Sequence, residues 1–141
     1  MYNRNLKAYK STSLDAEMAV ADPHRVIQML MQGLLERLAN AKGAIERRDY
    51  AGKSTCISKA MAIINGLQDS LDLSYGQVPQ DLFELYTYMK DRLMDASRDM
   101  AIEPIDEVAN LMIIIKSAWD QIPESEKQKA FNEQQAKGVR A

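Results

Sequence analysis

Few side chains in this sequence could do chemistry. His24 is its only histidine and Cys56 its only cysteine. A solitary histidine titrating near neutral pH suits proton transfer, or phosphoryl relay to a partner's aspartate. Phosphotransfer bundles present that histidine from the middle of an exposed helix face. His24 fits the count but directly follows Pro23, at a helix start where solvent exposure is expected. Cys56 sits beside Ile57 on a helical pattern and is expected to be inert packing. A carboxylate-bridged di-iron centre in a helical bundle needs two Glu-x-x-His pairs, and one histidine cannot supply them. No glycine-rich phosphate loop, zinc-ligand spacing or H-E-x-x-H motif is present. Asp69/Asp72 and Arg98/Asp99 read as solvated helix faces. The expectation is a protein that is not an enzyme and uses no metal or cofactor.

The composition narrows the remaining classes. A chain of 141 residues is one domain by prior and can bury a real core. Apolar and charged fractions of 46% and 27% are ordinary for a soluble globular protein. A formal net charge of -2 gives no footprint for nucleic acid. No apolar run is long enough for a signal peptide or membrane insertion. A single cysteine fits a reducing compartment, so a cytoplasmic location is expected. Nine methionines hint at a surface that accepts varied helices, although methionine also fills irregular core gaps.

Periodicity then supplies the elements. Asp22-Pro23 reads as N-cap and first helical position. After it Val26/Ile27, Leu30, Leu34, Leu38, Ala41 and Ile45 step by three and four, which predicts a helix ending near Glu46-Arg47-Arg48. Asp49 is expected to cap a second helix carrying Ile57, Ala60/Met61, Ile64, Leu67 and Leu71. That helix is expected to stop around Ser74-Tyr75-Gly76, with Gly76 in a left-handed C-terminal position. Pro79 opens a third, with Leu82, Leu85/Tyr86, Met89, Leu93 and Ala96 as its stripe. Glu103-Pro104 opens a fourth, and Pro123 ends it. Gly33, Gly43 and Gly66 lie inside helices, where close helix approach would explain them. No period-two strand pattern exists. Connections this short make neighbours antiparallel. The expected fold is therefore all-α, an antiparallel up-down four-helix bundle over residues 1–123. It would include a short mobile N-terminal segment (1–21) and be followed by a polar tail, frayed or disordered, at 124–141.

The fourth helix carries more apolar surface than one core needs. At about 100° per residue, Val108, Leu111, Met112, Ile115, Trp119 and Ile122 share a face. Ile113 then falls on the opposite side and Ile114 on a flank. Apolar surface beyond one stripe must be covered. The pattern leaves two solutions open: self-coverage, by a homodimer or by the chain's own ends, or a partner helix.

The order of several short segments resembles the FliS family, the flagellin-specific export chaperones, from Leu6 to about Trp119. The segments are Leu6-Lys7-Ala8-Tyr9, then Asp22-Pro23-His24-Arg25-Val26-Ile27-Gln28-Met29-Leu30. They continue with Lys59-Ala60-Met61-Ala62-Ile63-Ile64 followed by Leu71-Asp72, then Leu82-Phe83-Glu84-Leu85-Tyr86-Thr87-Tyr88-Met89, and end with Ala118-Trp119. Met31-Gln32-Gly33, Tyr75-Gly76 and Ala96-Ser97 depart from the family pattern, at turns and helix faces more than at the stripes. The resemblance implies a cytosolic chaperone without nucleotide hydrolysis. Its cargo would be the disordered C-terminal segment of flagellin, held from polymerising and presented to the flagellar type III export apparatus. A homodimer when cargo-free is compatible with it.

A flagellin-binding groove is expected from apolar residues beyond or on the shoulders of the core stripes. These are Ile63, Leu67 and Leu71 on the second helix, Leu82, Tyr86 and Met89 on the third, and Ile113 and Ile114 on the fourth; plain core packing is the other reading of the first six. Leu6 and Tyr9 would share a face if their segment became helical, and could cover an empty groove or dock onto cargo.

Overall fold

The computed structural model describes residues 22–122. Four α-helices account for most of them: α1 (Pro23–Glu46), α2 (Tyr50–Asp69), α3 (Gln77–Asp99) and α4 (Glu103–Asp120), with a single 3₁₀ turn at Leu73–Tyr75 and no strand among the described residues. The chain falls into two units, Gln28–Gln121 and the two ends beyond them. Of the ends, only residues 22–27 and 122 are described. There Asp22 behaves as an N-cap, its Oδ1 accepting from the Arg25 amide at 2.8 Å. The N-terminal segment with Leu6 and Tyr9, and the polar tail from 124, lie outside the described residues.

Within Gln28–Gln121 the pairings give the topology. Lys42 Nζ donates to Asp106 at 3.0 Å and Gln28 Nε2 to Asp120 at 2.8 Å, fourteen residues back in α1 for fourteen forward in α4. α1 and α4 are thus antiparallel neighbours. Leu30 faces Gly66 and Gly33 faces Ile63, so α1 and α2 are also antiparallel. Lys90 donates to Asn65 at 2.9 Å and Lys53 to the Ser97 carbonyl at 3.0 Å, joining α2 to α3. Tyr88 and Arg92 both meet Glu107, joining α3 to α4. The result is the up-down four-helix bundle that the spacing predicts, with helices adjacent in sequence order and α4 closing against α1. Its centre is Leu34, Leu38, Ile64, Leu67, Met89, Leu93, Ile105, Val108 and Met112, all fully buried.

The turns differ from expectation. α2 ends at Asp69, earlier than its apolar pattern suggests, because Asp72 starts a separate turn by accepting from the Ser74 amide at 3.0 Å. Gly76, at φ 103°, then precedes α3 as its N-cap rather than ending α2; only glycine takes that conformation without strain. Among the described residues, Arg48 (φ 56°) and Met100 (φ 50°) are the non-glycine ones in the left-handed region. Asp49 caps α2 as predicted, accepting from the Gly52 amide at 2.9 Å. A Cβ on Gly52 would lie 2.2 Å from the Asp49 carboxylate, so the cap depends on glycine here. At Gly33 and Gly66 an added Cβ would meet only ordinary contacts, of 3.7 and 3.8 Å, so close approach does not require them.

Candidate protein-binding surface

α4 spends its core stripe on Ile105, Val108 and Met112, all buried. Leu111, Ile115 and Trp119 are half-buried on its shoulders. Ile113 and Ile114 remain 49% and 67% exposed. One residue apart on a helix is about 100°, so the two side chains serve different flanks. α4 is a ridge with apolar surface on both sides.

On the α1 side Ile113 lines a cleft of about 320 Å³ with Leu35, Leu38, Ala39, Ile105 and Ala109. The polar residues Lys42 and Asp106 form an ion pair across one end of it. About two turns beyond Ile113, Asp120 accepts from Gln28 and, at 2.6 Å, from Lys116. Ala39 and Ala109 leave the apolar floor shallow enough for an incoming side chain.

The α3 side is set by register. Stepping back from Arg92 and Tyr88 by threes and fours along α3 reaches Leu85, Asp81 and Val78. Stepping forward from Glu107 along α4 reaches Leu111, Ile114 and Ala118. Because the helices are antiparallel, Ile114 comes level with Asp81 and Leu85, and Ala118 with Val78. Val78 is 70% exposed. The end of this face near the α3–α4 turn is locked by a polar network. The Tyr88 hydroxyl donates to Glu107 Oε1, Arg92 Nε to Glu107 Oε2 at 3.1 Å, and Arg92 Nη1 to Asp95 at 2.9 Å. The tyrosine bond, then Arg92, hold the Glu107 carboxyl below its ordinary pKa, while the same bond raises that of Tyr88.

The groove residues expected from sequence divide into two groups. Ile113 and Ile114 are exposed, and Ile63, Leu71 and Leu82 half-buried. Leu67, Tyr86 and Met89 are core residues, at most 2% exposed, and offer a partner no surface while the bundle is closed. Burial alone pushes the Tyr86 hydroxyl up to about 12. Ile63 faces Gly33 between α1 and α2, away from the α4 ridge. The structure also exposes Val78, Phe83, Tyr88 and Met94 on α3, which the stripe pattern did not single out. His24 is half-buried in the first turn of α1, a poor place to receive a docking domain. No cluster of three or more His, Cys, Asp or Glu among the described residues could hold a metal.

Known proteins place this bundle in a family. The model for the flagellar protein FliS matches residues 5–126. The flagellar secretion chaperone FliSB of Pseudomonas aeruginosa is 44% identical over 83% of this chain and 94% of its own length. The flagellar secretion chaperones FliS of Salmonella typhimurium and Vibrio cholerae are 38% and 36% identical, over 83% and 84% of this chain and 88% of their own lengths in each case. The chain belongs to the FliS family.

FliS proteins are chaperones, not enzymes, which agrees with the bare chemical inventory. The FliS-like segments of the sequence fall at structural joints. Leu82–Met89 forms the part of α3 that supplies both Tyr86 to the core and Tyr88 to the α4 lock. Ala118-Trp119 ends α4 beside the Gln28–Asp120 bridge. Gln68, which carries no apolar signal, is the one buried polar or charged residue among the described residues. Its Nε2 donates to Thr87 Oγ1 at 2.8 Å and to the Phe83 carbonyl at 3.0 Å, fastening α2 to this same segment. No helix among the described residues is long and apolar enough to cross a membrane.

Proposed function

We propose that this FliS-family chain binds the disordered C-terminal segment of flagellin in the cytoplasm, prevents its premature polymerisation and delivers it to the flagellar export apparatus. The observation that carries the reading is the pair Ile113 and Ile114, exposed side by side on both flanks of a helix whose core stripe is already complete. A disordered segment that folds on binding must offset about 2–5 kcal/mol of ordering. Apolar surface spread along two faces supplies that; a compact polar site does not. The cleft lined by Leu35, Ala39, Ala109 and Ile113 would seat one amphipathic piece of cargo. Ile114 with Val78 would seat another, and Leu71 and Leu82 would extend the surface at its half-buried margin. Leu67, Tyr86 and Met89 would act from beneath, by fixing the helices. In the cargo-free protein Leu6 and Tyr9 would cover the ridge, or a second copy its α1 side.

Calorimetric titration with a peptide of about forty residues from the flagellin C-terminus tests this. Coupled folding and apolar burial predict a one-to-one exothermic isotherm with a large negative heat-capacity change. No heat and no complex by size exclusion would refute the assignment.

A further inference from the structure

The two halves of the α3/α4 face differ in charge. Near the α3–α4 turn Glu107 is matched by Tyr88 and Arg92. Toward the other end the matching stops. Between Lys59 and Lys90 the sequence has no Lys, Arg or His, yet it has Asp69, Asp72, Asp81 and Glu84. Asp81 accepts from the neutral Gln77 amide at 2.8 Å. No cation among the described residues forms an ion pair with Asp81 or Glu84. Lys116 is the one cation of α4 and is held by Asp120 on the α1 side. Lys90 turns to Asn65 on the α2 side, while Arg92 and Arg98 are taken up by Asp95, Glu107 and Asp99. The exposed Ile114 and Val78 therefore lie in the anionic half, with Asp81 on the stripe itself and Glu84 on its rim.

Resting on the chaperone reading above, we propose that this face selects cargo segments that carry a lysine or arginine within one helical turn of an aliphatic anchor. The anchor covers Ile114 and Val78, and the cation lies against Asp81 and Glu84. In the free protein the two carboxylates are solvated and cost little. Once an apolar segment covers the strip they lose water, and an opposite charge must replace it. A second copy of this chain is a poor occupant, because it would bring like charges together at the same strip.

The test titrates the flagellin C-terminal peptide into the full chain and into the double variant Asp81→Asn/Glu84→Gln, with Glu36→Gln on the exposed face of α1 as control. A second peptide has its lysines and arginines replaced by glutamine. Expected is about a three- to tenfold loss of affinity in the double variant at low salt, shrinking as the Debye length falls to about 3 Å in about 1 M salt. The glutamine peptide should bind weakly and no longer distinguish the variant from wild type. Equal affinity of variant and wild type at low salt, or tighter binding by the variant, overturns the inference and leaves the chaperone reading standing. Failure of the wild-type chain to bind the peptide overturns both.

Discussion

Truncating Ile113 and Ile114 separates a binding ridge from a structural one. Complete burial of an isoleucine side chain contributes about 1.5–3 kcal/mol. Ile113 is 49% exposed and Ile114 67%, so cargo has about half and two-thirds of that left to gain. The expected losses on Ile113→Ala and Ile114→Ala are then about 1 and 1.5 kcal/mol, or roughly fivefold and tenfold in Kd. The two flanks meet different parts of the cargo, so the double variant should lose about fiftyfold, close to the product. Ile113→Asp should cost more, since a charge would enter the apolar cleft, while leaving the fold intact by circular dichroism. Tyr50→Ala, 58% exposed at the far end of α2, controls for unspecific apolar contact. The assay is isothermal titration with the flagellin C-terminal peptide, with thermal melts run in parallel. A change below twofold in both single variants, or an equal loss for Tyr50→Ala, would refute the ridge.

Three further outcomes follow from the geometry. Gln68→Ala removes two hydrogen bonds and leaves the Thr87 hydroxyl and Phe83 carbonyl with fewer partners, so urea unfolding should show a loss of about 1–3 kcal/mol. Arg48→Gly should raise stability by about 1 kcal/mol in the same assay, because an exposed non-glycine residue at φ 56° is strained. Burial holds the folded-state pKa of Tyr86 up at about 12, above its ordinary 10.0, so the folded protein holds a proton that the unfolded chain loses. Stability should be complete below pH 10 and fall by on the order of 2–3 kcal/mol through Tyr86 as pH rises toward 12; Tyr86→Phe should shrink the loss and leave the part due to Tyr88, which Glu107 also holds high.

The bundle was legible because apolar spacing of three and four survives any detail of packing. Leu34, Leu38, Ile64, Leu93 and Val108 are core on that argument alone, and the structure buries them. The surplus on α4 was legible for the same reason: five apolar residues in a row cannot all face one way. What the pattern could not give is the position of the seams between helices. Leu67, Tyr86 and Met89 lie on the three-and-four stripes and the structure buries them, while Leu71 and Leu82 on the same stripes are left half-buried; which stripe residues reach a seam depends on the neighbour's size and distance. Gln68 was invisible because its partners, Thr87 and the Phe83 carbonyl, come from another helix. Gly76 misled because a glycine after an apolar run signals a helix end equally well whether the helix stops there or earlier. The Asp72-Leu73-Ser74 sequence, able to form its own turn, was the available signal.

The polar bridges bear on what kind of cargo segment the ridge can hold. The α1/α4 cleft runs from Leu35 to Lys42 on α1 and from Ile105 to Ile113 on α4, with the Lys42–Asp106 ion pair at one end. At 1.5 Å per residue that lining is about 11 Å long, enough for a helix of about two turns. A longer helix continuing past Asp106 would run onto that ion pair and have to break or displace it. The α3/α4 face has the same kind of boundary, where the Tyr88–Glu107–Arg92 network closes it. Two bounded faces on one ridge favour cargo that binds as short amphipathic pieces joined by flexible chain, each held by a few aliphatic anchors. Such pieces are marginal as helices in water and gain their order only on the chaperone. Under the proposed function, release would then proceed one piece at a time, without breaking a single large interface at once.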